Sequence, residues 1–197
     1  MSLCVVGVFS LGRSAAAQRG ALSTSSGQGG RGRGGVQVMT LTSTAFADGG
    51  RIPPAYTQAG GETSPPLAWS SAPEGTTSFV LLVHDPDAAV GSGTDDTLHW
   101  LVWNMPATQT MLAANASRTA SLGNDARQIS ATSPFYRGPG AAADGPAHHY
   151  TFELYALDTT IDVPAVGMSP AQTRSAIVSA MAGHVRGKAV LVGLYKR

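Results

Sequence analysis

The sequence predicts a mostly β domain with one helix near the C-terminus. Three observations carry that expectation. Several runs of five to ten residues either alternate apolar and polar side chains or are apolar throughout. Stretches rich in Gly, Pro, Asn and Asp separate them. Only one segment has the residue grammar of a helix start.

"VQVMTLTSTAF" (36–46) alternates and predicts the first strand. "DGGRIPPAYT" follows as turn and loop. "SPPLAW" (64–69) reads as extended, because each proline restricts itself and the residue before it. "TSFVLLVHD" (77–85) is a continuous apolar strand ending in acid. "HWLVWNM" (99–105) is apolar on both faces, as a central strand is. "SLGNDAR" (121–127) reads as a loop. In "HYTFELYAL" (149–157), Tyr150, Phe152 and Leu154 share one face and Thr151 and Glu153 the other. "SPAQTRSAIVSAMAGH" places Ser169 at the N-cap, Pro170 at N1 and Gln172 at N3, a capping box with the favoured proline. Ile177 and Met181 lie four apart on one helical face, and Gly183 or Gly187 can end the helix. "KAVLVGLYK" (188–196) is the last strand.

Three organisational segments are expected. Residues 1–17 pair a short apolar run with small residues ending at Ala17, the pattern of a signal peptide. Residues 18–35 are a Gly/Ser-rich linker, and 36–197 form a single domain. Export to the periplasm or medium follows if the leader acts; otherwise the chain is cytoplasmic. The net charge of +1 supplies no broad field for nucleic acid. No apolar run approaches the ~20 residues of a spanning helix. "GRGRGG" matches a glycine-rich nucleotide motif in letters alone, with no strand before it and no helix after it. A single cysteine, Cys4, excludes an intrachain disulfide and a cysteine-rich zinc site. No metal or cofactor is expected.

The polar groups fall at strand ends. If 77–85 and 99–105 pair antiparallel, Asp85, Asp87 and His99 meet at one sheet edge, beneath a loop of about eleven residues. His148, His149 and Tyr150 head a third strand. "YRGPGAAADGPA" (136–147) precedes it and can expose backbone amides. Plainer roles compete: Asp85 before a proline can close a turn, Asp87 can cap its own turn, and a histidine can be a rim residue.

At these residues the chain resembles the phosphatidylethanolamine-binding protein family, especially its bacterial, Raf-kinase-inhibitor-like branch. The matching motifs are "SPPLAW", "LLVHDPDA", "HWLVWNMP", "YRGPG…DG…HHYTFELYALD" and "GHVRGKAVLVGLYKR", in family order over roughly 38–197. The resemblance implies two packed antiparallel sheets with Greek-key connections, peripheral helices and a small anion pocket at one end of the large sheet. It implies a ligand-binding set of Asp85, Asp87, His99, Gly138, Pro139, His148 and Tyr150. Ala89 stands where the family usually has a proline, and alanines follow Gly138-Pro139 where a Pro-Pro pair is usual. Both changes loosen the pocket rim.

These residue types suit binding better than turnover. Two imidazoles, a phenol and loop amides can donate to an oxyanion. Asp85 is expected to charge His99, so that affinity falls as the histidine loses its proton. Asp85 or Asp87 can meet a ligand ammonium. No G-x-S-x-G elbow marks a hydrolase. A small anionic or zwitterionic phosphate-type ligand is the expected partner. Inhibition of a kinase or protease through protein contact is the alternative, and a hydrolase or lyase a weaker one.

Overall fold

The computed structural model describes residues 35–197. The expected leader, and the linker up to residue 34, lie outside these residues. The strands are β1 (Gln37–Val38), β2 (Thr40–Thr42), β3 (Gly50–Arg51), β4 (Leu67–Ser70), β5 (Ser78–Val90), β6 (Asp95–Pro106), β7 (Met111–Leu112), β8 (Ser121–Gly123), β9 (Ala126–Ile129), β10 (His148–Leu157) and β11 (Val185–Tyr195). The helix α1 spans Pro170–Met181.

Eight strands form the large sheet, in the order β1-β11-β10-β5-β6-β9-β8 with β3 also on β11. Within it β10, β5, β6 and β9 lie side by side, the 4-1-2-3 order of a Greek key. Its main ladders are antiparallel; β1 and β3 add short parallel pairings to β11. A second sheet, β2-β4-β7, packs on one face. The core between the sheets holds Trp69, Phe79, Leu81, Val83, Phe152 and Leu154. A second core on the opposite face holds Val80, Leu82, Leu101 and Trp103 beneath Ile177 and Met181 of α1. The large sheet is thus the middle layer of three. Both faces of β5 are covered, which is why its sequence is apolar without alternation.

The helix starts as its sequence dictates. Ser169 Oγ accepts from Gln172 N at 3.3 Å, and Gln172 Oε1 accepts from Ser169 N at 3.0 Å. Gly183 lies just past its end at φ +83°.

Three boundaries differ from the sequence expectations. The run 36–46 is two strands in different sheets. Met39, 5% exposed, marks the crossing, where the chain leaves β11 to join β4. Alternation continues through such a crossing, so periodicity cannot reveal it. The expected strand 77–85 continues as β5 to Val90, and β6 begins at Asp95, so a four-residue tip replaces the longer loop. The expected loop 121–127 is the β8–β9 hairpin. Asn124 (φ +50°) and Asp125 (φ +64°) both take the left-handed conformation that a tight hairpin turn demands.

Candidate functional site

Successive residues of a strand point to opposite faces. Phe79, Leu81 and Val83 point between the two sheets, and Asp85 ends that row. Its neighbour His84 points to the helix side. Asp85 is only 2% exposed. Its Oδ1 accepts from the amides of Asp87 (3.0 Å) and Ala88 (3.1 Å). The turn role and the site role therefore coexist: one oxygen shapes the chain and the other faces the cluster. Oδ2 lies 2.9 Å from Nδ1 of His148, whose side chain is 25% exposed.

His99 was expected at the head of its strand and paired with Asp85. It instead lies inside β6, 3% exposed, and Asp85 Oδ2 takes His148 as its partner. Val83 pairs with Trp100 and His84 with Leu98, so His99 is the extra residue of a β-bulge. The bulge sends Leu98 to the helix-side core and Trp100 to the inter-sheet core while re-aiming His99. The His99 ring meets Tyr150 edge-on at 5.0 Å between centroids. Its Nδ1 donates to the Arg137 carbonyl at 2.9 Å, and Arg137 N donates back to the His99 carbonyl at 2.9 Å. With Nδ1 carrying the proton, Nε2 of the neutral ring is an acceptor.

Burial pushes the His99 imidazole below its ordinary value, and the Arg137 charge adds to that. The Arg137 carbonyl and the Asp85 charge oppose it without prevailing. The expectation of a charged His99 is thereby corrected: desolvation outweighs the carboxylate. Tyr150, 1% exposed, accepts from the amides of Gly140 and Ala141, each at 3.2 Å. Burial first, then the Asp85 charge, raises its hydroxyl well above the ordinary tyrosine value.

The loop 136–147 is fixed against 54–58. Gln58 Nε2 donates to the Gly138 carbonyl at 2.8 Å, Gln58 N to the Pro139 carbonyl at 3.0 Å, and Tyr136 Oη to the Tyr56 carbonyl at 2.8 Å. A Cβ on Gly138 would fall 2.7 Å from the Thr57 carbonyl carbon, so this approach requires glycine. Gly138 and Pro139 shape the wall; the amides at the cluster belong to Gly140 and Ala141. Asp87 turns to β10: its Oδ2 accepts from His149 N at 2.7 Å and lies 2.8 Å from His149 Nδ1. The backbone bond from His149 leads the causes that hold the Asp87 carboxyl below the usual range.

Sequence reasoning missed Arg137 and Gln58. Arg137 stands directly before Gly138, a signal in plain view. Gln58 acts across eighty residues, and no local pattern announces it.

A two-sheet protein with a carboxylate, two imidazoles and a phenol gathered where β5, β6 and β10 meet defines the class. A family model described as phosphatidylethanolamine-binding protein matches residues 42–196, and the chain belongs to that family. It is 38% identical over 161 residues to a UPF0098 protein of Methanothermobacter thermautotrophicus, covering 81% of this chain and 99% of the relative. It is 34% identical over 165 residues to a Mycobacterium tuberculosis protein described as lipoprotein LppC, covering 82% and 74% respectively. Among solved structures, the phosphatidylethanolamine-binding protein homologue CT736 of Chlamydia trachomatis superposes with TM-score 0.67 at 32% identity, over 82% of this chain and 99% of the other.

Proposed function

We propose that the chain is a binding protein, and not an enzyme, for small phosphate-type head groups that carry both charges. The carrying observation is the mixed character of the cluster. Asp85 keeps a buried carboxylate, and neutral His99 offers an acceptor at Nε2, so both favour a ligand donor such as an ammonium or a P–OH group. The half-buried His148 stands on Asp85 at the outer side, and its Nε2 has no protein partner among the described residues. In its protonated form that nitrogen donates to a phosphate oxygen. A pure oxyanion site would not place a carboxylate at its floor. Export is part of the same reading. The leader-like residues 1–17 and the lipoprotein description of the mycobacterial relative support it, and no helix among the described residues is long and apolar enough to cross a membrane.

Calorimetric titration of phosphoethanolamine and inorganic phosphate tests the site. Phosphoethanolamine is expected to bind the more tightly. Asp85→Asn and His148→Ala are each expected to weaken it about ten- to hundredfold, the worth of one charged hydrogen bond. Affinities equal to wild type in both variants would end this reading, and turnover of a phosphate ester that Asp85→Asn abolishes would replace it with an enzyme.

A further inference from the structure

The wall of the Asp85 cluster is a stretch of chain with little stiffness of its own. Residues 130–147 lie in no strand or helix. Ala141, Ala142 and Ala143 fix no backbone angle as a proline would. The order of this wall comes from contacts, and two partners supply them over four consecutive residues. The Gly138 carbonyl accepts from Gln58 Nε2 at 2.8 Å, and the Pro139 carbonyl accepts from Gln58 N at 3.0 Å. The next two amides, of Gly140 and Ala141, donate to Tyr150 Oη, each at 3.2 Å.

The Pro139 carbonyl and the Gly140 amide belong to one peptide unit. That unit is planar and trans, so its C=O and N–H point in opposite directions. Gln58 on one side and Tyr150 on the other therefore hold a single plate by both edges. The Gln58 side chain adds the grip on the carbonyl just before it. The contact leaves no slack: a Cβ on Gly140 would fall 2.6 Å from Cδ and Oε1 of Gln58 and closer still to Nε2. The base beneath Gln58 is itself tied. Thr57 is buried, and its N and Oγ1 donate to the Pro54 carbonyl at 3.0 and 2.9 Å. The Thr57 carbonyl accepts from the amides of Gly60 and Glu62, both at 3.0 Å. On the ligand side, Tyr150 stands beside Asp85, whose charge acts on its hydroxyl. Gln58, the loop plate, Tyr150 and Asp85 thus form one continuous chain of contacts.

We propose, on the head-group reading above, that Gln58 is a positioning residue of that site: it fixes the wall from Gly138 to Ala141 so that Tyr150 and Asp85 meet the ligand in one preset arrangement. Gln58 acts through the loop. A wall already ordered before the ligand arrives spares binding the entropy of ordering it.

Two variants release the grip from opposite sides. Gln58→Met keeps the side-chain length and the backbone bond to Pro139 but removes the Nε2 donor. Gly140→Ala puts a methyl where the Gln58 amide group lies; the end of that side chain is flexible and swings aside, so the fold is kept. Each is expected to weaken phosphoethanolamine about three- to tenfold in calorimetric titration of the full-length protein, the worth of one neutral hydrogen bond. The double variant should lose no more than the weaker-binding single one, because both remove the same contact. Hydrogen exchange should quicken at Gly140 and Ala141 in both variants and stay at the wild-type level at Phe152 in the core. A merely destabilised fold would quicken all three. The proposal is overturned if the losses multiply in the double variant or if exchange at Phe152 quickens equally. Wild-type protein that binds neither phosphoethanolamine nor phosphate ends the head-group reading and this proposal together. If wild type binds and both single variants bind equally well, this proposal alone ends.

Discussion

His84 and Asp85 are chain neighbours, yet they belong to opposite worlds. Asp85 points between the sheets, into a buried cluster that one carboxylate dominates and where burial lowers the His99 imidazole below its ordinary value. His84 points to the helix side, into a network in which every carboxylate has a cation. Asp96 is held by Arg174, and Glu153 by Lys188 at 2.6 Å and by the Tyr155 hydroxyl at 2.8 Å. His84 Nε2 faces Glu153 Oε2 at 3.7 Å, too long for a hydrogen bond and close enough for an ion pair. Burial is the largest influence on His84 and lowers it, but Glu153 and Asp96 together reverse the sign, and its proton is held above the ordinary value. The comparison teaches that burial alone does not decide a histidine's charge. The number of carboxylates near it, set against that burial, does.

The largest expected effect contrasts the two tyrosines of β10. Tyr150 fills the inter-sheet core and Tyr155 lies half-buried on the helix side. Tyr150→Ala is expected to cost about 3–5 kcal/mol, and Tyr155→Ala clearly less, in urea denaturation. Equal midpoints would erase the contrast. Next in size, Tyr150→Phe keeps the ring but strands the Gly140 and Ala141 amides, at an expected cost of about 1–3 kcal/mol. Hydrogen exchange at those two amides should accelerate with it; protection at the wild-type level would show that the hydroxyl is dispensable.

Asp96→Asn removes the anchor between β6 and α1. It is expected to cost about 1–2 kcal/mol, because both partners are partly exposed and their attraction is screened. The loss should be concentrated in the exchange rates of α1, whereas Asp85→Asn should leave α1 unaffected. A global, uniform loss in both variants would mean that the two faces are energetically one unit.

The smallest effects are pH slopes, and they have opposite signs. His84 is held above its ordinary 6.5, so the native state binds the proton more tightly than the unfolded chain. Its contribution is full below 6.5 and is lost as pH rises through the folded value. His99 is held below 6.5, so its contribution is full above 6.5 and is lost as pH falls through the folded value. Stability measured across pH 5–9 should lose its alkaline decline in His84→Gln and part of its acid decline in His99→Gln. Glu153, drawn down to about 2 chiefly by His84, extends the acid side. Its contribution is present above the ordinary 4.5 and is lost as pH falls toward 2. Imidazole NMR checks the assignment directly: His99 should remain neutral with the proton on Nδ1 at pH 7, and a charged ring there would reverse the comparison.

Much of this was legible in the residues. The apolar continuity of 79–83, the alternation of 150–154 and the capping box at Ser169 are local patterns, each enforced by backbone periodicity or by hydrogen bonds within four residues. They determined the main strands, the helix and the three-strand neighbourhood of the site, and the ordered motifs determined the family. Trp69, in the segment that reads as extended, is 5% exposed and packs against Phe79. What the sequence could not decide is pairing. The bulge that re-aims His99, the crossing at Met39 and the choice of His148 over His99 as the partner of Asp85 depend on how one strand registers against another. So does the compensated network around His84, whose five charged members come from β5, β6, β10, β11 and α1. Register is set by the best simultaneous burial of many distant side chains, so no window along the chain contains it.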